Sequence, residues 1–456
     1  MIAYLKTYFK KSAPPILKTL ETCYHLIPAS LRYGKPYRNM MELYRKSDNW
    51  SEKEFQLYQE IRLRSLIQHA YANVPYYRQL FDEHHIEPED IRTLDDLKKI
   101  PLLTANIIKD RREDLVATNI SHLNREMSHT SGSTGPSMYF YFDKTTIPVE
   151  RAQAMRHLLW LGYKNGDKIA VIKGQPLSEP RNIFKYYPGS KELRISLVNS
   201  DDHTMAAIVD ELERVRPNFL RGWPSCLYMI ARWMSSNNRH IAPPKFVITS
   251  SENLYLYMKK RIENVFGAKV IDGYGQSEFV AYALQCRYGK GYHVQMETGI
   301  LELLPYRGQL SEIVGTCLWN FAMPFIRYQT EDLAIRQEEP CLCGRRSWLL
   351  AEVIGRTSDL IIRDEKAATR NTLSQCSFYD LEDVKETQIL LEDDNLVRVM
   401  VVPRKEVSAA LRESIVQEIQ KSLGPSSMNV IVEEVDEIPP VESGKRPLII
   451  GRSPSL

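Results

Sequence analysis

The 456-residue chain lacks an excess of either charge, with 60 Lys and Arg against 57 Asp and Glu and a net charge of +3. The two signs are interspersed, so the electrostatic footprint of a nucleic-acid binder is missing and no such partner is expected. No run reaches the ~18 apolar residues that a membrane span requires. Internal repeats and low-complexity tracts are absent too. A hydrophobic share of 43% and a charged share of 26% exclude a predominantly disordered chain. Cysteines are only seven, an odd number, and Cys23, Cys226, Cys317 and Cys376 stand singly. A chain this long buries roughly three quarters of its unfolded surface and needs no disulfide staple. Lys6, Lys10 and Lys11 interrupt the N-terminal apolar residues and no long apolar core of a secretory signal follows. The expectation is a reducing, cytoplasmic compartment with free thiols.

What is present is a succession of short apolar runs and helical patterns. The first forty-five residues mix Lys and Arg with Tyr, Leu and Phe. That mixture fits a basic segment making peripheral membrane contact, or a helical arm broken at Pro14-Pro15 and packed on the body. The arm is the favoured expectation. From Ser51 to Gln68, Phe55, Tyr58 and Ile61 recur at helical spacing behind a Ser51/Glu54 capping box. Lys168–Gly174, Pro217–Gly222, Lys245–Ser251 and Ala268–Gly275 read as buried strands. Thr204–Val215 and Leu254–Phe266 read as helices between them, which argues a mainly parallel sheet. Beyond residue 300 short strands are expected at Leu301–Leu304, Thr316–Asn320 and Leu349–Val353. A compact tail follows, with strands Thr387–Leu391, Val397–Val402 and Asn429–Glu434 and a helix Val407–Leu423. The expected division is an arm over 1–50, a large domain over 51–355 and a small one over 356–456, of ordinary domain size.

Several segments carry chemistry. Thr130, Ser131, Gly132, Ser133, Thr134 and Gly135 are drawn only from Thr, Ser and Gly, so hydroxyls and backbone N–H groups can converge on a polyphosphate. The loop lacks the lysine and spacing of a Walker motif, and alone it reads equally as a flexible turn. Asp272–Glu278 follows a predicted strand, where open α/β sheets bind ligands. In it Tyr274 offers a ring for a flat base, and Glu278 is a hard oxygen ligand for Mg²⁺. Taken alone, a polar turn with a surface acid fits as well. Arg327–Asp332, Gly355–Asp359 and Ser443–Lys445 complete the series.

In this order, the segments resemble the adenylate-forming superfamily of acyl-CoA synthetases, luciferases and peptide-synthetase adenylation domains. More narrowly they are similar to the phenylacetate–CoA ligase family and its CapK-like, capsular-polysaccharide branch. Ala70–Arg78, Leu94–Thr104 and Arg221–Ser225 add to the likeness, which runs from about residue 55 to about 450.

The resemblance implies an α/β fold: a large N-terminal α/β domain of acyl-CoA synthetase type with a small, mobile C-terminal α+β domain. It implies ATP-dependent activation of an aryl or small organic acid as an acyl-adenylate, then transfer to coenzyme A. Residues 130–135 would hold the β,γ-phosphates. Tyr274, Gly275, Gln276 and Ser277 would lie by the adenine, with Glu278 on Mg²⁺. Asp332 would bind the ribose hydroxyls and Arg356 the ribose or a phosphate. Asp359 would be the hinge and Lys445 the adenylation lysine. An alternative within the resemblance is a CapK-like enzyme passing its acid to a sugar or another non-CoA acceptor; one of another class is a weakened, non-catalytic adenylate-binding scaffold in a biosynthetic complex. A monomer or a homodimer is expected.

Three positions depart from the pattern: Pro136 follows Gly135 where many relatives carry Lys, Leu360–Arg370 has no glycine, and Ser277 replaces the commoner Thr. The remaining cysteines form a separate group: Cys286 and His293 lie seven apart, and Cys341 and Cys343 flank one residue. Cys286, His293, Cys341 and Cys343 are three thiols and an imidazole, the donor set of a structural Zn²⁺ site. The alternative is unrelated buried thiols and a surface histidine. Walls of the acid pocket are expected from Phe140–Phe142, Trp223–Tyr228 and Ser250–Leu254.

Overall fold

A computed structural model describes residues 23–130, 138–177, 182–357, 361–363, 366–368, 376–381, 383–393, 396–404, 406–423, 429–441 and 444–450. Ser131, Gly132, Ser133, Thr134, Gly135, Asp359 and the arm up to residue 22 lie outside the described residues.

The expected first helix is present as Glu52–Asn73. The Ser51 hydroxyl accepts from the Glu54 N–H, and the Glu54 carboxylate accepts from the Ser51 N–H at 2.7 Å. It runs past Gln68 and stops where Val74 turns extended ahead of Pro75, which starts the next helix, Pro75–Glu83.

β1 (Arg125–His129) and β2 (Tyr139–Asp143) form an antiparallel pair. The main sheet takes twelve strands: β3 (Ile169–Lys173), β4 (Phe184–Tyr187), β5 (Glu192–Ser196), β6 (Phe219–Gly222), β7 (Phe246–Ser250), β8 (Val270–Gly275), β9 (Tyr282–Leu284), β10 (Tyr292–Val294), β11 (Gly299–Arg307), β12 (Leu310–Cys317), β13 (Tyr328–Gln337) and β14 (Leu349–Arg356). Their order is β11-β12-β13-β14-β10-β9-β8-β7-β6-β3-β5-β4. Only β5-β3-β6-β7-β8 run parallel; every other neighbouring pair is antiparallel. The mainly parallel sheet read from the sequence is therefore confined to five strands. Beyond Tyr282 the strands are joined without crossover helices, and antiparallel pairing is what such short connections permit.

Side chains alternate across the parallel strands. Ala170, Ile172, Leu220, Val247 and Val270 pack under the helices Asp202–Val215, Pro224–Ser236 and Leu256–Phe266. Ile169, Phe219, Ile248 and Ile271 face the helix Thr146–Trp160. The strand expected at Thr316–Asn320 ends at Cys317 instead. There Asn320 leaves the ladder, with its amide nitrogen donating to Tyr141 O and Met323 O. A strand and a buried loop look alike in a run of apolar residues.

β15 (Ile361–Arg363) and β16 (Lys366–Ala368) pair with each other. β17 (Val384–Asp393), β18 (Leu396–Pro403), β19 (Asn429–Glu434) and β20 (Ile449–Ile450) form a second sheet, ordered β19-β18-β17-β20, with the helix Ala409–Leu423. Its apolar residues Val397, Val399 and Ile389, with Phe378 of the short helical turn Ser377–Asp380, join the same buried cluster as Leu227, Ile230 and Met234 of the large sheet's helix. Arg232 on that helix donates to Leu381 O, Val384 O and Lys385 O, and Tyr228 donates to Tyr379 O. No helix among the described residues is long and apolar enough to cross a membrane.

Candidate active site

Gly275 closes β8 because the Tyr282 ring lies on its backbone; a Cβ there would sit 2.3 Å from that ring. The turn that follows holds Gln276, Ser277 and Glu278. Gln276 donates from Nε2 to the Tyr274 hydroxyl at 2.7 Å and to the Asp332 carboxylate at 2.9 Å, and Tyr274 donates to the same carboxylate at 2.7 Å. Tyr274 is thus placed by its hydroxyl, and burial together with Asp332 drives its pKa far up. Glu278 is buried and accepts from the Tyr328 hydroxyl at 3.2 Å; burial, then Asp332, raises its pKa. Arg356 stands opposite Asp332 across β13 and β14. Burial alone would lower the Arg356 pKa, but Asp332, Glu278 and Glu331 hold it above the ordinary value.

Lys445, in the segment that leads into β20, lies within electrostatic reach of this group. Its pKa is lowered by burial, while Glu252, Asp332 and Glu278 oppose and Arg356 assists. Gly444 makes the approach feasible: it has φ +80°, and a Cβ there would lie 2.2 Å from Gly174 O. Val441 N donates to Lys445 O at 3.0 Å, closing the turn.

Sequence reasoning placed Glu252 only within Ser250–Leu254, a segment expected to wall the acid pocket, and gave it no role of its own. Its Oε2 accepts from Ser225 N at 3.0 Å, burial raises its pKa, and Oε1 has no hydrogen-bond partner among the described residues. Its place just after β7, at a strand's C-terminal end, was a signal in the sequence. Gln276 Oε1 is likewise buried without a partner among the described residues. Ser251, Phe279, Arg327 and Glu331 have positive φ, and each adjoins Glu252, Glu278, Tyr328 or Asp332. Such backbone costs of order 1–3 kcal/mol per residue and gathers where side chains must be aimed. Arg327 itself is an anchor, paired with Glu302 at 3.0 Å and donating to Ile100 O.

A cavity of about 200 Å³ adjoins the turn, lined among others by Phe142, Ile147, Glu150, Gln276, Ser277 and Tyr282. Of the expected pocket walls only Phe142 lines it. Phe140 is buried in the core, and Ser225 meets Glu252 instead. Of the expected phosphate loop, Thr130 is described, its hydroxyl accepting from Met138 N at 3.0 Å. A larger, open hollow lined by Asn73, Pro75, Arg78 and Asp82 carries none of the motif residues.

The four Cys/His donors come together: their ligand atoms lie within 4.8 Å of one another. Cys286 Sγ is 3.6 Å from Cys341 Sγ, and Cys343 Sγ is 3.3 Å from His293 Nε2. Metal–ligand bonds of ~2.3 Å to sulfur and ~2.0 Å to nitrogen in a tetrahedron give spacings close to these. His293 Nδ1 meets Ser347 Oγ at 3.2 Å, the outer contact that orients a ligating imidazole. Burial, then Arg345, lowers the His293 pKa to about 4, which keeps the ring neutral.

This fold is that of the adenylate-forming CoA ligases. 2-Hydroxyisobutyryl-CoA ligase in the postadenylation state with 2-HIB-AMP matches with a TM-score of 0.70 at 18% identity, over 89% of this chain and 91% of that one. The same enzyme in its thioesterification state, with 2-HIB-AMP and CoA, matches at 0.59 over the same shares, also at 18% identity. The chain is a homologue of Protein CapK and of phenylacetate–CoA ligases. Protein CapK of Staphylococcus aureus is 23% identical over 427 residues, 91% of this chain and 92% of that protein. Phenylacetate-coenzyme A ligase of Thermus thermophilus is 26% identical over 330 residues, 67% of this chain and 71% of that protein. The family described as the CapK C-terminal domain matches residues 360–452.

Proposed function

We propose that the chain activates a carboxylic acid with ATP and passes the acyl group to the thiol of coenzyme A. In the first step a carboxylate oxygen bonds to the α-phosphorus and the bond to pyrophosphate breaks, giving acyl-AMP. In the second the thiol sulfur bonds to the acyl carbon, AMP leaves, and the thiol proton passes to solvent. One observation supports this reading: the Asp332 carboxylate accepts from Tyr274 at 2.7 Å and from Gln276 at 2.9 Å and stands opposite Arg356 across β13 and β14, beside the turn that carries Glu278.

Asp332 would take the ribose hydroxyls, with Tyr274 and Gln276 fixing its carboxylate. Thr130 to Gly135 would receive the β,γ-phosphates. Lys445 and Arg356 would offset charge building up at the α-phosphate, where one well-aimed donor is worth on the order of 3 kcal/mol. Glu278 would hold Mg²⁺, which when bound neutralises phosphate charge. Cys286, His293, Cys341 and Cys343 would hold a structural Zn²⁺.

A second reading concerns the acceptor alone. The CapK relative spans 91% of this chain but the Thermus ligase only 67%, and residues 360–452 match the CapK C-terminal domain. A non-CoA acceptor at the second step fits that difference. Pyrophosphate release from a panel of acids, run with and without coenzyme A, tests both. Acid-dependent release without thioester on adding coenzyme A favours the second; release with no acid dependence overturns both.

A further inference from the structure

The near-neutral chain places its charge unevenly. Residues 1–50 hold nine Lys and Arg against three acids, whereas the remainder holds 51 against 54. Residues 1–22 lie outside the described residues. In their sequence Ile2, Leu5 and Phe9 stand three and four apart, with Lys6, Lys10 and Lys11 among them, the spacing of a basic amphipathic segment.

From His25 onward this arm is seated on the body. The His25 ring lies 4.1 Å from the Tyr187 ring, and Tyr37, Met40 and Tyr44 of the helix Gly34–Ser47 are buried. Arg32 ties residues 25–32 together, donating to His25 O at 2.9 Å and to Ile27 O at 2.8 Å. Even so, Leu26, Ile27 and Leu31 are 57%, 42% and 67% exposed. Ile27 and Leu31 are four apart, on either side of the turn that Arg32 N closes on Pro28 O. Lys35 and Arg38 are exposed beside them, and Arg38 donates to Ser30 O at 2.8 Å within the same stretch. The neighbouring acids are already engaged: Glu42 by Lys46, Asp48 by Arg156, and Glu192, at the end of the turn that carries Gly189, by Arg194.

Three outward aliphatic side chains fall well short of the ~800 Å² per partner that a stable protein interface buries. A bilayer surface asks less. Leu and Ile enter the acyl boundary there while Lys and Arg meet anionic headgroups. No described helix is long and apolar enough to cross the bilayer, so the contact is one of surface docking.

We propose that the arm docks the chain on an anionic lipid bilayer, with Leu26, Ile27 and Leu31 entering the interface. Lys35, Arg38 and the lysines ahead of residue 22 meet the headgroups. The inference stands apart from the adenylation reading.

The test is co-sedimentation of the full chain with vesicles of phosphatidylcholine alone and of phosphatidylcholine with phosphatidylglycerol. The expected partition is at least about tenfold higher on the anionic vesicles and falls as salt is raised. Leu26→Ser, Ile27→Ser and Leu31→Ser made together lower it by at least about tenfold, the order expected for losing insertion of aliphatic side chains. Lys35→Glu lowers it by at least about fivefold, and an acid in that helix's first turn is well placed, so the variant folds. Both variants keep the parent's melting temperature and pyrophosphate exchange. Equal partition on the two vesicle types, or unchanged partition in the triple variant, overturns the inference. A parent dimer that the triple variant abolishes also overturns it, by assigning the patch to a second copy. So does a melting temperature several degrees lower in the triple variant, which assigns the patch to the chain's own preceding residues.

Discussion

Tyr274 and Asp332, 58 residues apart in the chain, share a hydrogen bond of 2.7 Å in which the phenol donates. The orientation of the ring and the position of the carboxylate are therefore one property. In Tyr274→Phe the carboxylate keeps Gln276 as a donor but loses a charge-assisted bond worth roughly 1.5–3 kcal/mol. The expected outcome is a KM for ATP raised about tenfold with a smaller change in kcat, read from initial rates. An unchanged KM would show that Asp332 does not depend on the ring.

Lys445, just ahead of β20, is a cation within the field of the Glu252, Asp332 and Glu278 carboxylates. Lys445→Ala is expected to reduce acid-dependent pyrophosphate exchange by about 10²–10³-fold, with melting temperature near that of the parent chain. Wild-type exchange in this variant would refute the assigned role.

Asp272 gives a pH dependence. Burial raises its pKa to about 6, although Thr249 and Tyr292 donate to it at 2.5 and 2.8 Å. The native state thus binds this proton more tightly than the unfolded chain, where an Asp titrates near ~3.9. The group's contribution to stability is full below about pH 4 and is lost as pH rises to about 6. Asp272→Asn removes that loss. Its stability relative to the parent, from urea unfolding, should rise by on the order of 2 kcal/mol between pH 4 and 7. A flat difference across that window contradicts the assignment.

The Cys/His cluster predicts about one Zn²⁺ per chain in the purified protein. Cys343→Ser is expected to lose most of the metal and to lower the melting temperature, and a strong chelator should do the same to the parent. Metal analysis finding no bound ion in fresh protein would sink the site.

Local signals were legible because their physics is local. The Ser51/Glu54 cap, the strands β6 to β8 and the segment Asn429–Glu434 are fixed by spacing within a few residues. So were the motif residues, whose order in the chain is itself the signal. Groups that meet only through strand register were hidden. Arg194 and Arg221 are 27 residues apart yet face the same residue of β3, and nothing in either segment announces the other. Glu252 and Lys445 likewise come into each other's field only once the second sheet has docked. The antiparallel half of the large sheet escaped for a related reason, since short apolar runs do not declare their direction.

The Cys/His cluster also has a consequence in time. Cys286 and Cys341 are 55 residues apart, and His293 is brought between them by pairing of β10 with both β9 and β14. The full four-donor set does not exist until those three strands are in register, so an ion held by all four would complete this region after the strands pair. Metal uptake during refolding would then lag strand pairing, and its rate would time the completion of the sheet's centre.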